Sequence, residues 1–190
     1  MKKGRLVVIT LLIVGIAIII LKNTGLYSQE NYKHLNQNVY NFLENKGNRL
    51  EVYAAGINLN KGSSENTCVY FLAEVLRKNN FNVPQDVSNT TQIIDLLDQK
   101  GFTKQTDYRN LTPGDICFTT DASGNKEGTP THTYIFMKWV KEGSYDYAYI
   151  CDNQAKDYSG KIYHIRNIKI IAKVNGYNKD AFAFFMKKHI

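Results

Sequence analysis

At Gly101 the chain changes its periodicity, and that switch limits the folds open to it more than any other feature. Before Gly101 apolar residues recur at helical spacing. A first helix is expected from residues 28–31 onward, with Leu35, Val39, Phe42 and Leu43 on one face and Lys46-Gly47 as its stop. A second starts at Cys68, with Leu72, Val75 and Leu76 turned inward and Glu74, Arg77 and Lys78 turned to water. A third covers residues 88–100, with Ser88 as its cap, Ile93, Ile94, Leu96 and Leu97 buried, and Gly101 as terminator. Residues 50–57 are apolar without a clear period, and residues 58–66 have a loop's Asn, Ser and Gly. Beyond Gly101 the period shifts toward two and β-branched and aromatic residues dominate, which predicts strands over 116–120, 133–140, 145–151, 161–165, 168–174 and 181–187. Turn signals separate them, among them Thr112-Pro113-Gly114-Asp115 and Asn175-Gly176. Helices followed by an antiparallel sheet make an α+β domain.

The N-terminus is of another kind. Met1-Lys2-Lys3-Gly4-Arg5 precedes sixteen uncharged residues, 6–21, interrupted only by Thr10 and Gly15 among the aliphatics. That length falls between the core of a signal peptide and a comfortable membrane span. Because no small-x-small site follows, an uncleaved transmembrane anchor over residues 6–22 is favoured, with secretion after signal cleavage as the alternative. Lys2, Lys3 and Arg5 would hold residues 1–5 in the cytoplasm, which sends a linker (23–34) and a domain (35–190) to the other side.

The anchor also explains the charge. Residues 1–25 carry four of the 24 basic residues and no acid, leaving 20 bases against 17 acids elsewhere. A balance of +3, with no basic stripe interleaved with aromatics, argues against a nucleic-acid partner. Three cysteines are too few and too odd in number for a disulfide framework, and no C-x-x-C pair offers metal spacing. Cys117 and Cys151 lie in apolar strand-like runs and read as core residues, able to pair if their strands are neighbours.

Cys68 differs from them. It stands where a loop hands over to a helix, with Asn66 and Thr67 as capping candidates, so the positive end of the helix would favour its thiolate. His132 heads an apolar strand beyond the Gly128-Thr129-Pro130 turn, a rim position that suits a general base. His34 in the outer helix, His164 in a late strand and His189 at the chain end are less well placed. The strand after His132 runs into Asp152-Asn153-Gln154, so an antiparallel neighbour would bring a carboxylate or an amide beside the imidazole and orient it. Asp152 and Asn153 both remain candidates, with Asp152 preferred because a carboxylate stabilises imidazolium better.

In this order, the segments Asn66-Thr67-Cys68-Val69-Tyr70-Phe71, Leu111-Thr112-Pro113-Gly114-Asp115, His132-Thr133-Tyr134-Ile135-Phe136 and Ile150-Cys151-Asp152-Asn153-Gln154 resemble the NlpC-type cell-wall hydrolases and the related CHAP amidohydrolase/peptidase domains. Residues 179–187 look like that group's final strand. The family pattern around the nucleophile, Asp-Cys-Ser-Gly or Gln-Cys-Thr, is replaced here by Thr67-Cys68-Val69-Tyr70. The resemblance implies a papain-like fold and a Cys68 thiolate that attacks an amide carbonyl while His132 moves the proton. It also implies a peptide or peptidoglycan substrate and no cofactor. Tyr53, in Tyr53-Ala54-Ala55-Gly56, would correspond to the family's carbonyl-polarising tyrosine. Two other classes fit the same residues: an inactive binding module of this fold, in which Cys68 would lack abnormal reactivity, and a thiol acyltransferase, whose acyl-enzyme would be resolved by an amine or alcohol.

Overall fold

The computed structural model describes Tyr32 and residues 34–188. The expected anchor, residues 6–22, and the linker, apart from Tyr32 and His34, lie outside the described residues, as does His189. Among those described, no helix is long and apolar enough to cross a membrane.

Among the described residues four α-helices precede the strands: α1 (Leu35–Glu44), α2 (Lys46–Leu59), α3 (Cys68–Lys78) and α4 (Thr90–Gln99). Eight strands follow: β1 (Phe102–Gln105), β2 (Ile116–Thr119), β3 (Thr133–Lys141), β4 (Ser144–Cys151), β5 (Tyr163–Asn167), β6 (Ala172–Val174), β7 (Tyr177–Lys179) and β8 (Phe182–Lys188). The domain is α+β. Six strands form an antiparallel sheet in the order β1-β8-β2-β3-β4-β5, and β6 with β7 forms a separate ribbon.

The helix boundaries correct the sequence reading in three places. Lys46-Gly47 does not stop a helix; it begins one, because Asn45 turns out of α1 and its side chain accepts from the N–H groups of Gly47 and Asn48. The ambiguous residues 50–57 are therefore helical. Their period was faint because α2 buries only Val52 and Gly56. Gly56 is where α2 meets α3, and a Cβ there would lie 3.2 Å from the Phe71 backbone nitrogen. Third, α4 is capped by Asn89, not Ser88. Asn89 accepts from Gln92 N–H at 2.9 Å, and Gln92 returns the bond to complete a capping box. Ser88 also sits on Gln92, donating its own N–H to the Gln92 side-chain oxygen Oε1 at 2.9 Å. Replacing Asn89 with Ala should lower the urea midpoint by an amount worth about 1 kcal/mol, with the denaturant slope unchanged.

β3 is buried on both sides from Thr133 to Met137, so its sequence reads as a continuous apolar run instead of alternating. Tyr134 and Phe136 join a cluster with Cys117, Ala148, Ile150 and Phe185 on one face, while α3 packs on β3 from the helical side. β8 returns to insert between the edge strand β1 and β2, and its first five residues are buried. β1 went unforeseen because it is a short edge strand that buries Phe102 alone. The Asn175-Gly176 turn, with both φ angles positive (49° and 86°), joins β6 to β7 as a small hairpin, not two strands of the main sheet.

The Pro113-Gly114-Asp115 turn fixes the entry to β2. Asp115 is fully buried, and its carboxylate accepts from Thr112 N–H at 2.7 Å and from the Asn36 amide, tying α1 to the sheet. Gly114 has φ 89°, and a Cβ would lie 1.9 Å from the Asn36 carbonyl oxygen. Both backbone conformation and space exclude a side chain. Gly114→Ala should cost about 2–4 kcal/mol in chemical denaturation, combining positive-φ strain with overpacking.

Candidate active site

Cys68 is the first residue of α3. The chain reaches it through Asn66, held in the left-handed region at φ 54°. Thr67 does not cap the helix: its hydroxyl donates to the Ser64 carbonyl at 3.0 Å. The same hydroxyl accepts from the Asn153 amide at 3.0 Å. No side chain caps the helix start, and the backbone N–H groups of Val69 and of Thr133 on β3 favour the thiolate of Cys68.

His132 is 7% exposed and sits one residue before β3. Its backbone is pinned to β2: His132 N–H donates to Thr119 Oγ1 at 3.0 Å, and its carbonyl accepts from Thr119 N–H at 3.1 Å. Nε2 lies 2.9 Å from Asp152 Oδ2, so Nδ1 is the ring nitrogen left for Cys68, which adjoins His132 in the same hollow. The antiparallel β3–β4 register, Ile135 opposite Cys151, carries Asp152 to the His132 side of the sheet. Asp152 is fully buried, and its Oδ1 accepts from Gln154 N–H at 2.8 Å. Of the two candidates left open by the sequence, Asp152 is the one beside the imidazole; Asn153 instead braces Thr67 ahead of Cys68.

Three charges interlock here. Burial pushes the Cys68 thiol up, but the hydrogen bond and charge of His132, with the Thr133 and Val69 N–H groups, outweigh it and bring the pKa below the usual thiol value. Burial likewise opposes the His132 imidazolium, yet Asp152 and Cys68 together raise it to about 9. Asp152, despite complete burial, is held down to about 2 by the charge of His164 and by its bonds to His132 and Gln154. All three shifts favour the arrangement thiolate, imidazolium, carboxylate.

His164, set aside in the sequence reading as a residue of a late strand, belongs to this group. It lies on β5, which pairs with β4, and its Nε2 is 3.9 Å from Asp152 Oδ1. Its Nδ1 donates to the Lys161 carbonyl at 3.1 Å and its ring stacks on Tyr158. Burial lowers its own pKa. The signal that could have found it is the spacing of His164 and Arg166, two residues apart and hence on one face of a strand beside β4.

Tyr53 is half-buried on α2 and does not line the Cys68 hollow. Cys68 and His132 open on that hollow, about 160 Å³, together with Asn153, Gln154, Arg166 and Lys179. Asn66, Asn153, Gln154, Asn178 and Lys179 also line an adjoining basin of about 670 Å³, so the two hollows share a wall of four amide side chains and Lys179. Among the described residues no group of His, Cys, Asp or Glu is placed to hold a metal ion. No protein-family model, no curated protein and no solved structure matches this chain.

The other cysteines are chemically quiet. Both are fully buried, and burial drives both thiols far above the usual range. They cannot reach each other, since β3 lies between β2 and β4, and all three cysteines are free. Brief treatment of the native protein with iodoacetamide should label Cys68 alone, with two further labels appearing only after unfolding, as counted by intact mass. Labelling of Cys117 or Cys151 at a comparable rate would contradict these environments.

Proposed function

We propose that the domain is a papain-like cysteine hydrolase that cleaves amide or peptide bonds, with peptidoglycan as its substrate. The observation that carries this reading is the linked chain from Cys68 through His132 to Asp152, contributed by a helix start and two neighbouring strands. The substrate class rests on the motif resemblance to NlpC-type and CHAP enzymes and on the expected anchor, which would present the domain to the cell wall.

The chemistry follows from the charges. The Cys68 thiolate adds to the carbonyl carbon, and the carbonyl π electrons move to oxygen. The Cys68 backbone N–H, at the start of α3, would donate to that oxyanion. His132 gives its Nδ1 proton to the departing nitrogen as the C–N bond breaks, leaving a thioester and a free amine. Water then attacks the thioester with His132 Nδ1 taking its proton, and the carboxylic acid leaves as the thiolate re-forms. Asp152 stays ionised throughout and holds the ring through Nε2.

The test is digestion of purified cell wall by the full-length chain in detergent, followed by mass analysis. New amine and carboxyl ends at a defined amide bond are expected. Intact wall, or fragments cut at glycosidic bonds, would contradict the proposal.

A further inference from the structure

The groove contains a cation that this chemistry leaves unused. Arg166 lies on β5 opposite Ala148 of β4 and lines the same hollow as Cys68 and His132. It is only 4% exposed. Its Nη2 donates to the Asp180 backbone carbonyl, but Nε and Nη1 are buried without any hydrogen-bond partner. Among the described residues no carboxylate ion-pairs with it; its Cζ stands 5.8 Å from the Tyr134 ring. The contrast with its neighbours is informative. Lys179, the other buried cation in the groove, is neutralised by Asp157 at 2.5 Å, and the Asp180 carboxylate accepts from the Thr131 hydroxyl at 2.5 Å instead of turning to Arg166.

A guanidinium is always charged and offers five donors in a rigid fork matched to a carboxylate. Buried with idle donors, it is costly unless something supplies acceptors and negative charge. We propose that Arg166 forms a carboxylate-binding subsite, so that the preferred substrate bears a free carboxylate close to the scissile amide. This deepens the cysteine-hydrolase reading and rests on it. Arg166 would recognise the substrate through a charge-assisted bond; it takes no part in proton transfer.

The test compares two reagents of nearly equal size on the full-length protein, anionic iodoacetate and neutral iodoacetamide, by their rates of alkylation at Cys68. The iodoacetate-to-iodoacetamide rate ratio, which cancels any change in the reactivity of the thiol itself, should fall about tenfold in Arg166→Gln and be largely kept in Arg166→Lys. An unchanged ratio in a folded Arg166→Gln protein overturns the subsite and leaves the cysteine reading standing. An iodoacetamide rate no faster than that of a free thiol in the wild type overturns both. Should Arg166→Gln fail to fold, protection of wild-type Cys68 from iodoacetamide decides: succinate should protect and succinamide should not at matched ionic strength. Equal protection overturns the subsite. Substrates differing only in carrying the carboxylate as a chain-terminal α-group or as a flanking acidic side chain then show which source is read, as a KM difference that disappears in Arg166→Gln.

Discussion

Cys68→Ala and His132→Ala should each abolish turnover, and the double variant should be little worse than either single one. A thiolate without its imidazolium, or an imidazole without its thiolate, is left with no partner in the proton transfer, so the two losses do not add. Each change should cost at least about 10³-fold in kcat/KM, the scale at which removing one member of such a unit is felt. Folding should persist in both, because Cys68 is only partly buried and His132 lies at the rim of the groove. Circular dichroism, and resistance of Cys117 and Cys151 to labelling until the protein is unfolded, check this. Additive losses in the double variant would show that the residues act separately.

The second large effect is expected at Asp152. Asp152→Asn keeps the shape but removes one of the two charges that together raise His132 to about 9. Activity should fall about 10²–10⁴-fold, and the alkaline limb of the pH profile, set in the wild type by loss of the His132 proton, should move downward. Asn153→Ala removes only the bond to Thr67 Oγ1 and should cost far less. A ranking with Asn153→Ala the worse would move the orienting role to Asn153. The same carboxylate contributes to stability with a definite sign. Its folded pKa is depressed from 3.8 to about 2, so its contribution is complete above the ordinary carboxylate value and lost as pH falls through about 2. Acid unfolding of Asp152→Asn should lack that component.

Cys68, His132 and Asp152 were legible from the sequence because each lies at an element boundary with a local signal: a polar loop before a helix, a turn before an apolar strand, and a polar triplet after one. The choice of Asp152 over Asn153 was not legible in the same way. Adjacent residues at the end of a strand point in opposite directions, and only the register of β3 on β4 shows which one meets the imidazole. The same limit hid His164 and Arg166. His164 owes its place beside Asp152, and Arg166 its place in the groove, to the pairing of β5 with β4, a long-range contact; the two-residue spacing shows only that they share one face of a strand. α2 was obscure for a packing reason: it meets α3 through Gly56, and a helix that docks by a small residue needs no broad apolar stripe. At the caps, Thr67 and Ser88 have residue types suited to a helix start, but their hydroxyls bond elsewhere, to the Ser64 carbonyl and to the Gln92 side chain.

The central claim is that Cys68 and His132 rest as a thiolate–imidazolium pair, and the ultraviolet absorbance of the thiolate reads it most directly. The difference titration between wild type and Cys68→Ala should show a thiolate signal already present well below the ordinary thiol pKa of about 8.5, vanishing only on further acidification. His132→Ala should move that transition upward toward the ordinary thiol value. A wild-type signal that first appears near that value, unaffected by His132→Ala, would contradict the pair and the mechanism built on it.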